Sequence, residues 1–319
     1  MKKIIFKIGI LLLSIFLILI LYLSIFGIKT DKFNHQIQTQ LKKIDNNIEA
    51  EIKNINIILD PLSFRFNLKT LGTNLIYKNK KIKLERIETG IYLKSILSNK
   101  LLLKELKIST KAIKLKNLIS LLRVVNNDPK LFIAEQFVKK GYVIADINFE
   151  FGEDGKIKDN FNVIGFVKNG SVNLLRKNTL SKMSFNFKLK KDEIEISDFS
   201  LLLNNKNFLI PEIKSQKIKK NFVISGVVKN KKITLEDNDL EKIIDSKSFD
   251  VKFDKVVFAS ENQFSFQLDK KFNLDKFVLK SSISLDELIL ENRLALKKIF
   301  PKFKDKINLR DHKINLEYK

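Results

Sequence analysis

His35 and His312 are the only imidazoles in this chain, and it contains no cysteine. Neither histidine has a neighbouring set of carboxylates at ligand spacing, so metal binding and general base catalysis have no anchor in the sequence. Asp192, Glu193, Glu195 and Asp198 alternate with apolar residues, the pattern of a strand's wet face rather than of a paired acid and base. Glu150, Glu153 and Asp154 flank a turn and read as solvated rather than as a calcium loop. No G-x-S-x-G, H-E-x-x-H, P-loop or G-x-G-x-x-G motif occurs. The expectation is a protein without enzymatic activity and without a cofactor.

The residue type that does recur at meaningful spacing is phenylalanine, 26 in all against no tryptophan. Phe64, Phe66, Phe149, Phe151, Phe161, Phe185, Phe187, Phe264 and Phe266 stand in F-x-F pairs or at positions of one strand face. Because side chains in a strand alternate between faces, F-x-F puts both rings on the same side. Such rings serve either a closed core or an apolar lining for a ligand with hydrocarbon chains. These nine are the candidate lining residues.

The elements that position them begin with Ile8–Ile28, a run without charge. At ~1.5 Å per helical residue it spans ~30 Å, the thickness of a bilayer's hydrocarbon core. It is longer than a signal-peptide apolar region and lacks small residues at its exit, so it reads as an uncleaved signal anchor. Lys2, Lys3 and Lys7 precede it without acids, whereas Lys29, Lys32, Lys42 and Lys43 follow it among Asp31 and Asp45. The charge count is close to a tie; the compact leading cluster favours a cytoplasmic N-terminus and an extracytoplasmic body.

Residues 30–47 place Phe33, Ile37, Leu41 and Ile44 at helical spacing, with Thr30 or Asp31 as N-cap. From residue 48 to 116 the period changes to two, in short strands such as Ile55–Leu59, Ser63–Lys69, Lys81–Leu84, Glu88–Leu93 and Leu101–Ile108, with one helical turn at Leu93–Leu97. Residues 117–141 form a helical insertion: Asn117–Val125 carries an apolar stripe, Asp128-Pro129 caps a second helix, and Gly141 ends it. Residues 142–283 resume the strand rhythm, with turns at Glu153-Asp154-Gly155 and Asn169-Gly170 and a short helix at Leu235–Asp245. Across 284–319, Ser284-Leu285-Asp286-Glu287 has capping-box spacing and opens a helix to Phe300, followed by a last strand, Lys313–Tyr318. That strand would leave a sheet edge unpaired, so either the edge pairs elsewhere or the chain continues beyond it.

The fold class is therefore mostly β with a few helices: an N-terminal transmembrane helix, then a long antiparallel meander curled into a groove. The alternative is a closed β-sandwich or barrel. Ten groove-facing side chains left ~50–100 Å² exposed would forgo on the order of 10–25 kcal/mol of burial, so an open groove needs an occupant. The formal charge of +24 comes from lysines spread along the chain with six arginines. That is a solvated surface first and an attraction to anionic headgroups second; a nucleic-acid partner is not expected.

The anchor, the short helix and IEAEIKNINIILDPLSFRFNLKTL, followed by NKKIKLERIETGIYLKSILSNKLLLKELKIS and the hairpins of YVIADINFEFGEDGKI and FNVIGFVKNGSVNLL, together resemble the N-terminal part of the AsmA-like family of bacterial envelope proteins. The resemblance implies a repeating β-groove fixed to the inner membrane, with its bulk in the periplasm, that shields phospholipid tails on their way to the outer membrane. It implies membrane lipids as partners and other envelope proteins as further ones. Roughly twenty strands at ~4.8 Å each reach at most ~90 Å, short for spanning a periplasm alone.

Overall fold

The computed structural model describes residues 2–31, 34–44, 46–63, 65–92, 103–125, 128–152, 158, 160–174, 178–219, 221–237, 239, 252–269, 273–291, 298, 301–302 and 306–319. The expected helical turn at Leu93–Leu97, the Glu153-Asp154-Gly155 turn and Phe64 lie outside these, as does most of the expected helix at Leu235–Asp245. The chain is mostly antiparallel β. Its seventeen strands belong to one sheet that does not close into a barrel. The barrel alternative therefore does not hold. Two compact units divide the chain: residues 1–113 with 144–164, and residues 114–143 with 165–319.

The first unit opens with helix α1 (Lys2–Ile25), within which Phe6–Ile25 is long and apolar enough to cross a membrane. It stops at Gly27, whose φ of +64° is the left-handed conformation that terminates helices. A Cβ there would collide with the Ile57 carbonyl oxygen and Asn56 Oδ1, so the position needs glycine for space as well as for φ. Strand β1 (Ile28–Thr30) follows at once and pairs antiparallel with β3 (Ile55–Asp60), Ile28 opposite Ile57. The apolar helix thus enters the sheet with no linker. Helix α2 (Asn34–Ile44) follows: of the two expected caps Thr30 is committed to β1, and the Asn34 N–H donates to the Asp31 carbonyl at 2.9 Å.

Beyond β3 the ladder continues through β4 (Arg65–Leu71), β6 (Lys80–Tyr92), β7 (Leu103–Thr110) and β9 (Val138–Glu150). A side branch joins β2 (Ile48–Glu51) to β5 (Asn74–Tyr77) and β5 to the start of β6. Ile55, Leu68 and Ile91 are buried, and Ile37 of α2, Ile52, Ile57 and Phe66 pack on them. Side-chain amides fix α2 in place: Asn34 Nδ2 donates to the Ile52 carbonyl and Gln38 Nε2 to that of Ala50, both at 2.9 Å.

The second unit holds the helical insertion. After β8 (Ile113–Lys114) come α3 (Leu115–Val125) and α4 (Pro129–Phe137). Asp128 caps α4 as expected, its side chain accepting from the Lys130 N–H at 2.9 Å with Pro129 in the first turn. Gly141 does not end this helix. The helix stops at Phe137, and Gly141 lies inside β9 with φ +124°, where a Cβ would meet Leu115 Cδ1 and the Gly170 backbone. Its role is close approach.

Long strands then follow in sequence order: β10 (Asn162–Asn173), β11 (Thr179–Lys190), β12 (Glu193–Leu203), β13 (Lys206–Ile218), β14 (Asn221–Glu236), β15 (Lys252–Leu268), β16 (Leu274–Glu291) and β17 (Lys306–Tyr318). Each is antiparallel to the next from β11 onward. Three expectations fail here. Asn169-Gly170 is no turn: β10 runs through it, with Asn169 at φ +54°. The residues from Ser284 to Glu291 are strand, with Leu288 paired to both Val256 and Leu309, because cross-strand burial outweighs a local capping-box pattern. The strand expected only from Lys313 already begins at Lys306.

Candidate functional site

Residues opposite one another across a ladder share a face, so the registers define which side chains lie together. In the second unit one row runs Phe187, Ile196, Ile213, Gly226, Phe264, Leu279, Tyr318 across β11 to β17. The adjacent row on that face is Leu189, Ile194, Ser215, Ile224, Phe266. Rings meet along it: Phe264 to Phe266 at 5.9 Å, Phe266 to Phe277 at 6.4 Å and Phe277 to Tyr318 at 5.9 Å between centroids. On β11 and β12, Phe185 meets Phe187 at 6.4 Å and Phe199 at 4.9 Å. No side chain of the first row is buried: six positions are half-buried, and Tyr318 is exposed.

The intervening rows carry the other chemistry. Lys188, Glu195, Lys214, Ser225, Ser265 and Val278 form one, and Asn186, Ser197, Glu212, Val227, Gln263, Lys280 and Glu317 the next. Opposite charges meet on this wet face, Lys214 with Glu212 at 2.6 Å and Lys280 with Glu317 at 3.5 Å. Lysines so paired are a solvated surface and not a cationic patch. The Glu212 partnership holds the Lys214 ammonium above its usual range.

The apolar face has a polar border. Asn230, Ser260 and Asn262 follow on the same side of β14 and β15, with Ser281 beside Asn262. Ser260 Oγ donates to Asn230 Oδ1 at 2.5 Å, Asn262 Nδ2 donates to Ser260 Oγ at 2.8 Å, and Asn230 Nδ2 donates to the Phe258 carbonyl at 3.2 Å. Beyond that border Ile233 and Leu235 are buried among Phe208, Phe253, Val256 and Phe258. One end of these strands therefore has a covered apolar cluster, and the other has the half-open Phe-lined rows.

Of the nine candidate phenylalanines, Phe185, Phe187, Phe264 and Phe266 share this face of the second unit. Phe66 and Phe149 share the apolar face of the first unit, in the rows Leu59–Phe66–Ile91 and Ile57–Leu68–Thr89–Leu106–Phe149. There Phe66 packs against a buried cluster with α2. Phe151 and Phe161 are half-buried at the ends of β9 and β10. Sequence reasoning missed Phe199, Phe277, Ile196, Ile213, Ile224, Leu279 and Tyr318. Phe199 follows the positive-φ residue Asp198, and Phe277 follows Lys276, so neither keeps the simple alternation of its strand.

The polar candidates are dispersed. Glu193 and Glu195 lie opposite Lys190 and Lys188, Asp192 pairs with Lys217 at 3.3 Å, and Asp198 accepts from Asn186. His35 is exposed on α2, and His312 lies opposite Leu285 on β17. Among the described residues there is no group of three or more His, Asp or Glu side chains that could hold a metal ion. No protein-family model, no curated protein and no solved structure matches this chain.

Proposed function

We propose that this chain is a membrane-anchored, non-enzymatic lipid-binding protein whose apolar sheet face holds the acyl chains of phospholipid while headgroups stay in water. The observation that carries the reading is the row from Phe187 to Tyr318, apolar apart from Gly226 across seven strands, none of it buried. Six strand spacings of ~4.8 Å make it about 29 Å long, roughly twice the ~15 Å of one bilayer leaflet's hydrocarbon, so an extended tail fits on it whole. Leaving that surface in water would cost several kcal/mol. The anchor α1 runs into β1 and β3 of the first unit at Gly27 without a linker, which would hold those strands next to the bilayer that supplies the lipid.

On this reading the N-terminus is cytoplasmic, α1 spans the inner membrane once, and the sheet lies in the periplasm, binding or conducting phospholipid toward the outer membrane as in the AsmA-like proteins that the sequence resembles. Direction has to come from elsewhere, because the sequence contains no nucleotide-binding motif. The rival class is an envelope assembly factor built on a closed β-domain; a closed barrel is not what these strands form.

The test is photocrosslinking in cells from Phe187 and Phe266, with Lys188 and Gln267 of the opposite face as controls, and mass spectrometry of the full chain purified in mild detergent. Phospholipid captured from the two phenylalanine positions and not from the controls is the expected result. Crosslinks to protein alone, or equal lipid from both faces, would overturn the reading.

A further inference from the structure

Helices α3 and α4 form a hairpin in which no described residue is buried. Leu115, Leu118 and Leu121 of α3 are half-buried, whereas Leu122 and Val125 are 42 % and 54 % exposed. In α4, Leu131 to Ala134 are four successive apolar residues, which together point to all sides of a helix. Phe132 and Ile133 there are 52 % and 54 % exposed. Arg123 ties the two helices together: its guanidinium lies 2.9 Å from the Glu135 carboxylate and 5.7 Å from the centre of the Phe132 ring. Phe132 therefore lies beside the turn of α3 that carries Leu122 and Val125. A helix apolar on all sides belongs in apolar surroundings, and exposed apolar side chains grouped in this way mark a surface that meets a partner.

The charges around the hairpin select that partner. Residues 114–140 hold six cations, Lys114, Lys116, Arg123, Lys130, Lys139 and Lys140, against two acids, Asp128 and Glu135. The acids are withdrawn. Asp128 accepts from the Lys130 N–H at the start of α4, and the Glu135 side chain, 14 % exposed, is engaged by Arg123. The five lysines are all exposed. Lysines on the strands of this unit instead stand beside acids that are as open as they are, Lys214 with Glu212 and Lys229 with Glu261. The outward charge of the hairpin is thus positive, where that of the sheet is mixed. Exposed apolar side chains bordered by lysines complement the headgroup region of a bilayer, which takes the apolar groups at its acyl boundary and offers phosphates to the cations. A groove on another protein would take the apolar side chains without calling for the lysines. We infer that the α3–α4 hairpin docks on a membrane surface carrying anionic lipid, with Leu122, Val125, Phe132 and Ile133 entering it.

The inference does not depend on acyl chains lying on the sheet. The chain contains no tryptophan, so Phe132→Trp gives the full chain a single reporter at the hairpin. In vesicles of phosphatidylcholine with phosphatidylglycerol, its emission should lie to the blue of that in phosphatidylcholine alone. Phosphatidylcholine brominated on its acyl chains should quench it at least twofold in the anionic vesicles. Exchanging Lys114, Lys116 and Lys140 together for Glu should remove at least half of that quenching, and raised salt should weaken it. Unchanged amide exchange over residues 184–200 checks that the exchanged variant keeps its strands, and the same three lysines exchanged for Gln should give an intermediate loss. Water-like emission in both vesicles, or quenching indifferent to phosphatidylglycerol and to the charge exchange, would overturn the inference. So would a blue shift that brominated lipid leaves unquenched, which would mean that protein covers the hairpin.

Discussion

The Phe264 ring on β15 lies over the bare α-carbon of Gly226 on β14. A Cβ at Gly226 would come within 2.8 Å of both Phe264 Cζ and the Glu212 carbonyl oxygen. Glycine is required there because the ring fills the place of its side chain and the neighbouring strand closes the other side. Gly226→Ala should destabilise the second unit by roughly 1–3 kcal/mol through overpacking. In a double-mutant cycle with Phe264→Ala the two costs should fall short of additivity by ~0.5 kcal/mol or more, as read from urea unfolding. Strict additivity would mean that the ring does not occupy that space.

At the other end of the chain, Gly27 joins the long apolar helix α1 to the sheet. Gly27→Val adds a side chain where φ is +64° and where Ile57 O, Asn56 Oδ1 and the Ile58 side chain stand in the way. The β1–β3 pairing should yield first. Faster amide exchange at residues 28–30 and 55–57, with residues 184–200 unchanged, is the expected pattern. Uniform protection in all of them would show that the joint tolerates a side chain.

How much of this was legible in the sequence depends on the phase of the strand alternation. The long apolar N-terminal helix, the antiparallel meander and the Asp128-Pro129 cap were readable because each rests on local spacing. The lengths of the strands were not. Glu193–Leu203 is a single strand, β12, although Asp198 within it stands at φ +52°. The same happens in β14, where the register slips between Asn230 and Ile233, and in β15 and β16, where Phe258 pairs with Leu285 and the preceding Val257 with Glu287. A β-bulge shifts the alternation by one residue, so from sequence a continuing strand looks like a strand that has ended. The turns were hidden for a related reason. Among the described residues, positive-φ pairs close hairpins at Lys78-Asn79 and Asn204-Asn205, whereas the expected Asn169-Gly170 sits within a strand. The lining face was half legible: F-x-F pairs reveal which rings share a side of one strand, but only register shows that Ile213 and Leu279 join them.

Asp128 should contribute to α4 alone. Its carboxylate accepts from the Lys130 N–H, one of the amides a helix start leaves unpaired. Asp128→Ala should cost about 1 kcal/mol of local stability and Asp128→Asn much less, measured as amide exchange over residues 131–135. An equal loss in both variants would point to a role other than capping.

Acid should loosen the last three strands through Glu287. On β16 its carboxylate accepts from Lys255 Nζ of β15 at 2.7 Å and from Arg310 Nη2 of β17 at 3.3 Å. The Lys255 hydrogen bond is the main reason its pKa lies below 4.5; burial opposes that shift, and Asn308 and Arg310 add to it. A folded-state pKa below the unfolded one means that the unfolded chain binds more protons in between, so stability rises with pH there. The contribution is fully present above about pH 4.5 and is lost as pH falls through the depressed folded value. Glu51, Asp60 and Glu317 have the same sign, each held down first by a hydrogen bond from Lys81, Ser63 and Lys319 respectively. Glu287→Gln should therefore lower the urea midpoint at neutral pH and flatten its decline below about pH 4.5. A variant whose midpoint falls as steeply as that of the wild type would assign the acid sensitivity to the other three carboxylates.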